Sequence, residues 1–117
     1  MEVDEQLEVS VEASGPLPVV RVVGELDSST APILRRALTG VIGENPHRRI
    51  VVDLARMGFI DSTGLGVLVG ALKRARDGGG DLLLASPTSM TTKVLDITGM
   101  CRVFDVVDLP SPSPTPA

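Results

Sequence analysis

The chain has 117 residues, 43% hydrophobic and 22% charged, with eleven basic and fifteen acidic side chains and a net charge of −4. That length suits one domain burying about 65% of its unfolded surface, around an aliphatic core, since Phe59 and Phe104 are the only aromatics. The single Cys101 and single His47 exclude an internal disulfide and cysteine-based or multi-histidine metal sites, and a pI near 4.8 disfavours generic binding to nucleic acid or anionic membrane.

The start of the chain, Met1 to Glu5, is acidic and lacks the apolar stretch of a signal peptide. Gly64 to Leu72, the longest apolar stretch, is far short of the ~20 residues of a membrane span. A soluble, cytoplasmic protein is the expectation.

In chain order, Leu7, Val9, Val11 and Ala13 alternate with polar residues and predict a half-buried strand. Ser14-Gly15-Pro16 breaks it, and Val19 to Val23 predicts a second strand, antiparallel to the first. Ser28-Ser29-Thr30 offers N-cap hydroxyls, and Pro32 suits the first turn of a helix. That helix has Ile33, Leu34, Ala37, Leu38, Val41 and Ile42 at spacings of three and four, and stops at Gly43 to Pro46. Ile50 to Leu54 is an unbroken apolar run but for Asp53, as in a central strand covered on both faces. Ser62-Thr63 opens a second helix with Leu65, Leu68, Val69, Leu72 and Ala75 on one face, ended by Gly78-Gly79-Gly80. Leu82 to Ala85 is another buried strand. Ser86-Pro87-Thr88 introduces a third helix, with Val94, Ile97 and Cys101 as its inner edge and Gly99 at its close. Val103 to Val107 is a short last strand or an irregular edge. Pro110 to Ala117, with proline at every second position up to Pro116, is expected to be an extended end. The order β-β-α-β-α-β-α(-β) implies an α/β fold with parallel pairing and right-handed crossovers.

One segment carries chemistry. The strand Ile50–Leu54 leads through Ala55-Arg56-Met57-Gly58 into Phe59-Ile60-Asp61-Ser62-Thr63-Gly64-Leu65-Gly66. The C-terminal end of a central strand is a favoured place for function in an α/β sheet. Here it places an acid, two hydroxyls and two glycines at a helix N-terminus, where unpaired N–H groups and the helix dipole favour negative charge. A phosphate on Ser62 would meet that positive end, opposed by Asp61, and would set about −2 charge on an exposed surface. A bare helix cap explains Asp61, Ser62 and Thr63 equally well. Gly66 and Gly70, one turn apart on the flank away from Leu65, Leu68 and Leu72, each cost a helix about 1 kcal/mol relative to alanine. With Val67 between them they form an uncharged docking strip or, alternatively, a close packing seam against a neighbouring helix.

Phe59 to Leu68 resembles the phosphorylation motif of bacterial anti-sigma factor antagonists, the STAS-domain family. Gly24-Glu25-Leu26-Asp27 is similar to the family's second-strand signature, Val51-Val52-Asp53-Leu54 to its third strand, and Gly79-Gly80-Asp81-Leu82-Leu83-Leu84 to its fourth. Ser86-Pro87 through Gly99-Met100 resembles its late helix, with Lys93 where arginine is usual and Met100 where leucine is. The likeness runs from about residue 5 to residue 109. It implies a STAS-type mixed, largely parallel sheet of four to five strands with amphipathic helices, spanning residues 1–109 and followed by the tail 110–117. It also implies a non-enzymatic protein without cofactor or metal. In its unphosphorylated form such a protein binds an anti-sigma factor that is also a serine kinase of the histidine-kinase-like ATPase fold, and so frees a sigma factor. The kinase phosphorylates the serine after the motif aspartate, here Ser62, and the phosphorylated form lets go. A metal-dependent serine phosphatase resets it. Asp27 matches a family position near this surface, and Thr63 stands where a second serine is common. The expected partner-binding set is Asp27, Asp61, Ser62, Thr63, Gly64, Leu65, Gly66, Val67 and Gly70.

Other readings compete. A receiver-like phosphoacceptor at Asp53 lacks the acidic pair after the first strand and a late lysine beyond Lys93. For a nucleotide-binding enzyme, the third glycine comes one residue late for a dinucleotide motif and no P-loop lysine is present. A non-switching STAS scaffold stays open. Arg35-Arg36, Arg48-Arg49, Arg74 and Arg76 read as solvated faces or, for one of these groups, as a means of steering an acidic partner; His47 reads as exposed, Cys101 as a core or rim residue, and Met57 and Met90 as packing residues. Phe59 is expected to wedge under the motif loop.

Overall fold

The computed structural model describes residues 2–3 and 6–108. Its elements are β1 (Glu2–Val3), β2 (Leu7–Glu12), β3 (Val19–Leu26), α1 (Ala31–Glu44), β4 (Arg49–Ile60), α2 (Ser62–Asp77), β5 (Asp81–Ala85), α3 (Ser89–Thr98), a 3-10 turn at Met100–Arg102, and β6 (Asp105–Val107). The six strands lie in one sheet in sequence order. β2 pairs antiparallel with β1 and β3, whereas β3–β4, β4–β5 and β5–β6 are parallel. This is the mixed, largely parallel α/β sheet expected, with the two-residue β1 added at its edge. The extended end at residues 110–117, and the domain limit at residue 109, lie outside the described residues. Among the described residues no helix is long and apolar enough to cross a membrane.

Side-chain alternation sorts the strands into two faces. Leu7, Val9, Val20, Val22, Ile50, Val52, Leu54, Leu82 and Leu84 join Leu34, Leu38, Leu68, Leu72 and Leu95 from the helices in one aliphatic core. Among the described residues the opposite face carries no helix. There Val51, Leu83 and Ala85 are buried against Leu17, Val19 and Val107. The central strand is covered on both faces as expected, but neighbouring strands and the β2–β3 loop, not a helix, bury Val51. Arg21 sits on this face, bonded to Glu12 at 2.7 Å and paired with Asp53 at 3.4 Å.

Three expectations change. The strand read as Ile50–Leu54 runs to Ile60, because two register shifts against β3 let Ala55–Gly58 continue the pairing. With these bulges the buried positions become Leu54, Met57 and Ile60, a spacing of three rather than two. The inner edge of α3 is Thr91 and Leu95, with Met90 and Val94 partly buried. Ile97 is 77% exposed and Cys101 is exposed. Thr91 can sit inside because its hydroxyl lies 3.2 Å from that of Thr88, the α3 N-cap. Val11, 47% exposed, and Ala13 extend past the reach of the helices.

Candidate functional site

β4 ends at Ile60, which pairs with Leu26 at the end of β3. The Asp61 N–H donates to the Leu26 carbonyl at 3.2 Å, tying the next turn to β3. Asp61 is extended and is the N-cap of α2, its carboxylate accepting from the Gly64 N–H at 2.9 Å. The cap therefore belongs to the aspartate. Ser62 and Thr63 are the first two helical residues, both exposed, with no side-chain hydrogen bond to any described residue. The Ser62 hydroxyl stands at the positive end of a 16-residue helix.

Gly64 is buried, and its place explains why no other residue stands there. A Cβ would lie 2.6 Å from Leu26 Cγ and 3.0 Å from the Leu26 carbonyl oxygen. α2 thus begins in direct contact with the end of β3. Gly66 and Gly70 differ, since nothing beyond their chain neighbours and the adjacent backbone of α2 lies within 4 Å of a Cβ built at either. The packing seam considered for this pair is absent. The docking strip is corrected too: Val67 is only 5% exposed and belongs to the core, so the strip lacks its middle member. Of the nine residues expected at the surface, Ser62, Thr63 and Gly66 are exposed, and Asp27, Asp61 and Gly70 are half-buried. Gly64, Leu65 and Val67 are buried.

The β3–α1 turn comes to this helix end through Leu26. Near the end of β3 a register shift falls at Gly24, whose φ of +116° suits glycine, and a side chain there would collide with the Gln6 carbonyl. Asp27 then organises the turn. Its carboxylate accepts from the Ser29 N–H at 2.9 Å, the Ser29 hydroxyl at 2.7 Å and the Thr30 N–H at 3.1 Å. The Ser29 hydroxyl above all, aided by the Thr30 and Ser29 amides, holds the Asp27 carboxyl below the usual aspartate range against the opposing effect of desolvation. Thr30, the N-cap of α1, does not cap with its own side chain. Its buried hydroxyl instead accepts from the Asp27 N–H and donates to the Glu25 carbonyl, both at 2.9 Å. The charge of Asp27 is thus engaged in shaping the turn beside α2.

The competing sites fare differently. Asp53 lies within β4 rather than at its end, paired with Arg21 and accepting from the Ala55 N–H at 3.0 Å. His47 is exposed. Phe59 does not wedge under the motif loop: it is 44% exposed. Ile60 and its partner Leu26 face the helices, so Phe59 and its partner Glu25 face away from them. The alternation against buried Ile60 was the available signal. A shallow apolar groove lined by Glu12, Gly15, Pro16, Leu17, Val19 and Val51 lies at the opposite end of the parallel strands from Ser62.

Comparison with known proteins agrees with this geometry. The STAS domain model matches residues 8–111. The anti-sigma-B factor antagonist of Bacillus subtilis is 36% identical over 87 residues, covering 74% of this chain and 78% of that one. The crystal structure of an anti-sigma factor antagonist from Mycobacterium paratuberculosis superposes with a TM-score of 0.78 at 25% identity, covering 97% of this chain and 92% of that one. The Bacillus cell fate determinant SpoIIAA in its phosphorylated form shares the fold, with a TM-score of 0.69 at 23% identity over 89% of this chain and 93% of that one. The chain belongs to the STAS domain family, among the anti-sigma factor antagonists.

Proposed function

We propose that this chain works by partner switching in the cytoplasm. Unphosphorylated, it binds an anti-sigma factor that is also a serine kinase of the histidine-kinase-like ATPase fold, and a sigma factor is freed. The kinase transfers the γ-phosphoryl group of ATP to Ser62 Oγ. ADP leaves and the hydroxyl proton passes to solvent or to a kinase base. The phosphorylated chain dissociates, and a metal-dependent serine phosphatase hydrolyses the ester. The chain supplies the acceptor and the docking surface, and the catalysis belongs to its partners.

The carrying observation is the exposed Ser62 hydroxyl, unbonded among the described residues, at the first position of α2. The modification asks for no refolding. The nearby Asp61 carboxylate is bonded into the helix, and the helix N-terminus favours the added charge. That a phosphorylated relative shares the fold supports this reading. Inside a complex the balance reverses. The phosphate must be desolvated beside the kinase's own nucleotide phosphates, and losing a charge-compatible interface contact costs about 2–5 kcal/mol. Each ~1.4 kcal/mol is tenfold in affinity, so one ester separates bound from free.

The test is incubation with each kinase of this fold encoded in the same genome, with ATP, followed by mass mapping. Phosphate is expected on Ser62. Ser62→Ala is expected to stay unmodified and to hold its kinase persistently. Phosphate retained on that variant would move the site to Thr63, and a wild-type chain that no kinase modifies would support a non-switching scaffold instead.

A further inference from the structure

The two helices that flank the site have a charge pattern unlike the rest of the chain. No acidic side chain occurs from Ala31 to Gly43 or from Ser62 to Arg76, while Arg35, Arg36, Lys73, Arg74 and Arg76 do. With the terminal Glu44 and Asp77 included, α1 and α2 hold five cations and two acids, a net of +3 in a chain of net −4. All other residues together therefore carry −7. Neither helix has an acid in its first turn, although the helix dipole favours a carboxylate there. The one acid at these N-termini beyond Asp27 is the cap, Asp61, whose carboxylate is bonded to Gly64.

The fold gathers this charge on one layer. α1 and α2 pack side by side, each crossing between parallel strands, so they run in the same direction. Arg35, Lys73 and Arg74 are exposed and form no ion pair among the described residues. Arg76 is taken by Asp81 at 2.9 Å. The open backbone at Gly66 and Gly70 lies on the same helix as Lys73 and Arg74. The carboxylates of the β2–β4 strands and the β3–α1 turn, Glu8, Glu12, Glu25, Asp27 and Asp53, lie outside this helix pair.

We infer that this helix layer is the electrostatic part of the docking surface and takes a carboxylate-rich face of the kinase. The inference rests on the partner-switching reading and adds the chemistry of the partner. Complementary charge raises association rates by about 10–10³ and loses that effect in salt. It also supplies a second cause of release. A phosphate on Ser62 brings about −2 charge, which lowers the layer from +3 to about +1 and sets the ester against the partner's carboxylates.

The experiment uses the full chain and the kinase that phosphorylates Ser62. Association and dissociation rates are measured at about 50 and about 300 mM salt, over which the screening length falls from about 14 to about 6 Å. The wild-type association rate is expected to drop about tenfold across that range. The triple variant Arg35→Gln, Lys73→Gln, Arg74→Gln is expected to associate about tenfold more slowly at low salt, with most of the salt dependence gone and dissociation within about twofold. Arg56→Gln, an exposed cation of β4, is expected to behave as wild type. Thermal melting confirms that the triple variant is folded. A triple variant that associates at the wild-type rate, or a wild-type rate indifferent to salt, overturns the inference while Ser62 phosphorylation leaves the switching reading intact. Duplex DNA bound by wild type and lost in the triple variant, with kinase association unchanged, assigns the layer to a polyanion and overturns it as well. If no kinase binds or modifies the chain, the underlying reading falls, and the inference with it.

Discussion

One substitution, made at three glycines of a single helix, should change stability in opposite directions. Alanine in a helix is worth about 1 kcal/mol over glycine. At Gly66 and Gly70 a new methyl group meets nothing within 4 Å beyond its chain neighbours and the adjacent backbone of its own helix, so each variant should keep most of that gain, about 0.5–1 kcal/mol. At Gly64 the methyl falls 2.6 Å from Leu26 Cγ, 3.0 Å from its Cδ2 and 3.0 Å from its carbonyl oxygen. Leu26 is fully buried and cannot swing into solvent. Overpacking of this kind costs about 1–3 kcal/mol, and parting α2 from β3 also strains the Asp61–Leu26 hydrogen bond of 3.2 Å. After the propensity gain, the net loss should be about 1–2 kcal/mol, or about 3–10 °C in melting temperature for a domain of this size. Far-UV circular dichroism is the suitable probe, because the chain has no tryptophan or tyrosine. Gly64→Ala melting at or above wild type, or Gly66→Ala and Gly70→Ala melting below it, would refute the packing argument.

Three more outcomes follow from the same geometry. Asp61→Ala removes the cap bond to Gly64 and should lower stability by about 1 kcal/mol in urea titration, with Asp61→Asn retaining most of it; an unchanged midpoint would show that the cap contributes nothing. Because the Asp27 carboxyl titrates below its ordinary range, its ionised form stabilises the fold. The stability gap between wild type and Asp27→Asn should be full above about pH 3.9 and close as pH falls through the lower native value. A gap that widens on acidification would contradict the assigned hydrogen bonds. Gly66→Arg should abolish kinase binding in a pull-down while leaving the melting temperature at or above that of wild type, since arginine at this exposed position also gains helix propensity over glycine; unfolding would mean that Gly66 is packed after all.

What could be read from the residues depended on how local the cause was. Leu65, Leu68, Leu72 and Ala75 were legible as the buried face of α2 because helical spacing alone dictates it, and all four are buried. The cap chemistry of Asp61 and the exposure of Ser62 are equally local. The length of β4 was not legible, since two bulges turn its period from two into three, and Leu54, Met57 and Ile60 then look like a loop. The helix-free face was hidden for another reason. An apolar run such as Ile50–Leu54 reads the same whether helices or neighbouring strands bury its second side. In α3 the apolar Ile97 reads as an inner residue by its hydrophobicity, whereas the buried Thr91 depends on the Thr88 hydroxyl, which an apolar pattern does not reveal. The link between Asp27 and Ser62 came only from the family resemblance. In the structure it follows from the Leu26–Ile60 pairing across parallel strands, a contact between distant parts of the chain.

The most direct measurement compares the equilibrium affinity of the kinase for two forms of the purified chain, one with Ser62 free and one with Ser62 stoichiometrically phosphorylated. The account predicts that the ester weakens binding by at least tenfold, equivalent to about 1.4 kcal/mol or more, with both forms equally folded. Equal affinity of the two folded forms would contradict it.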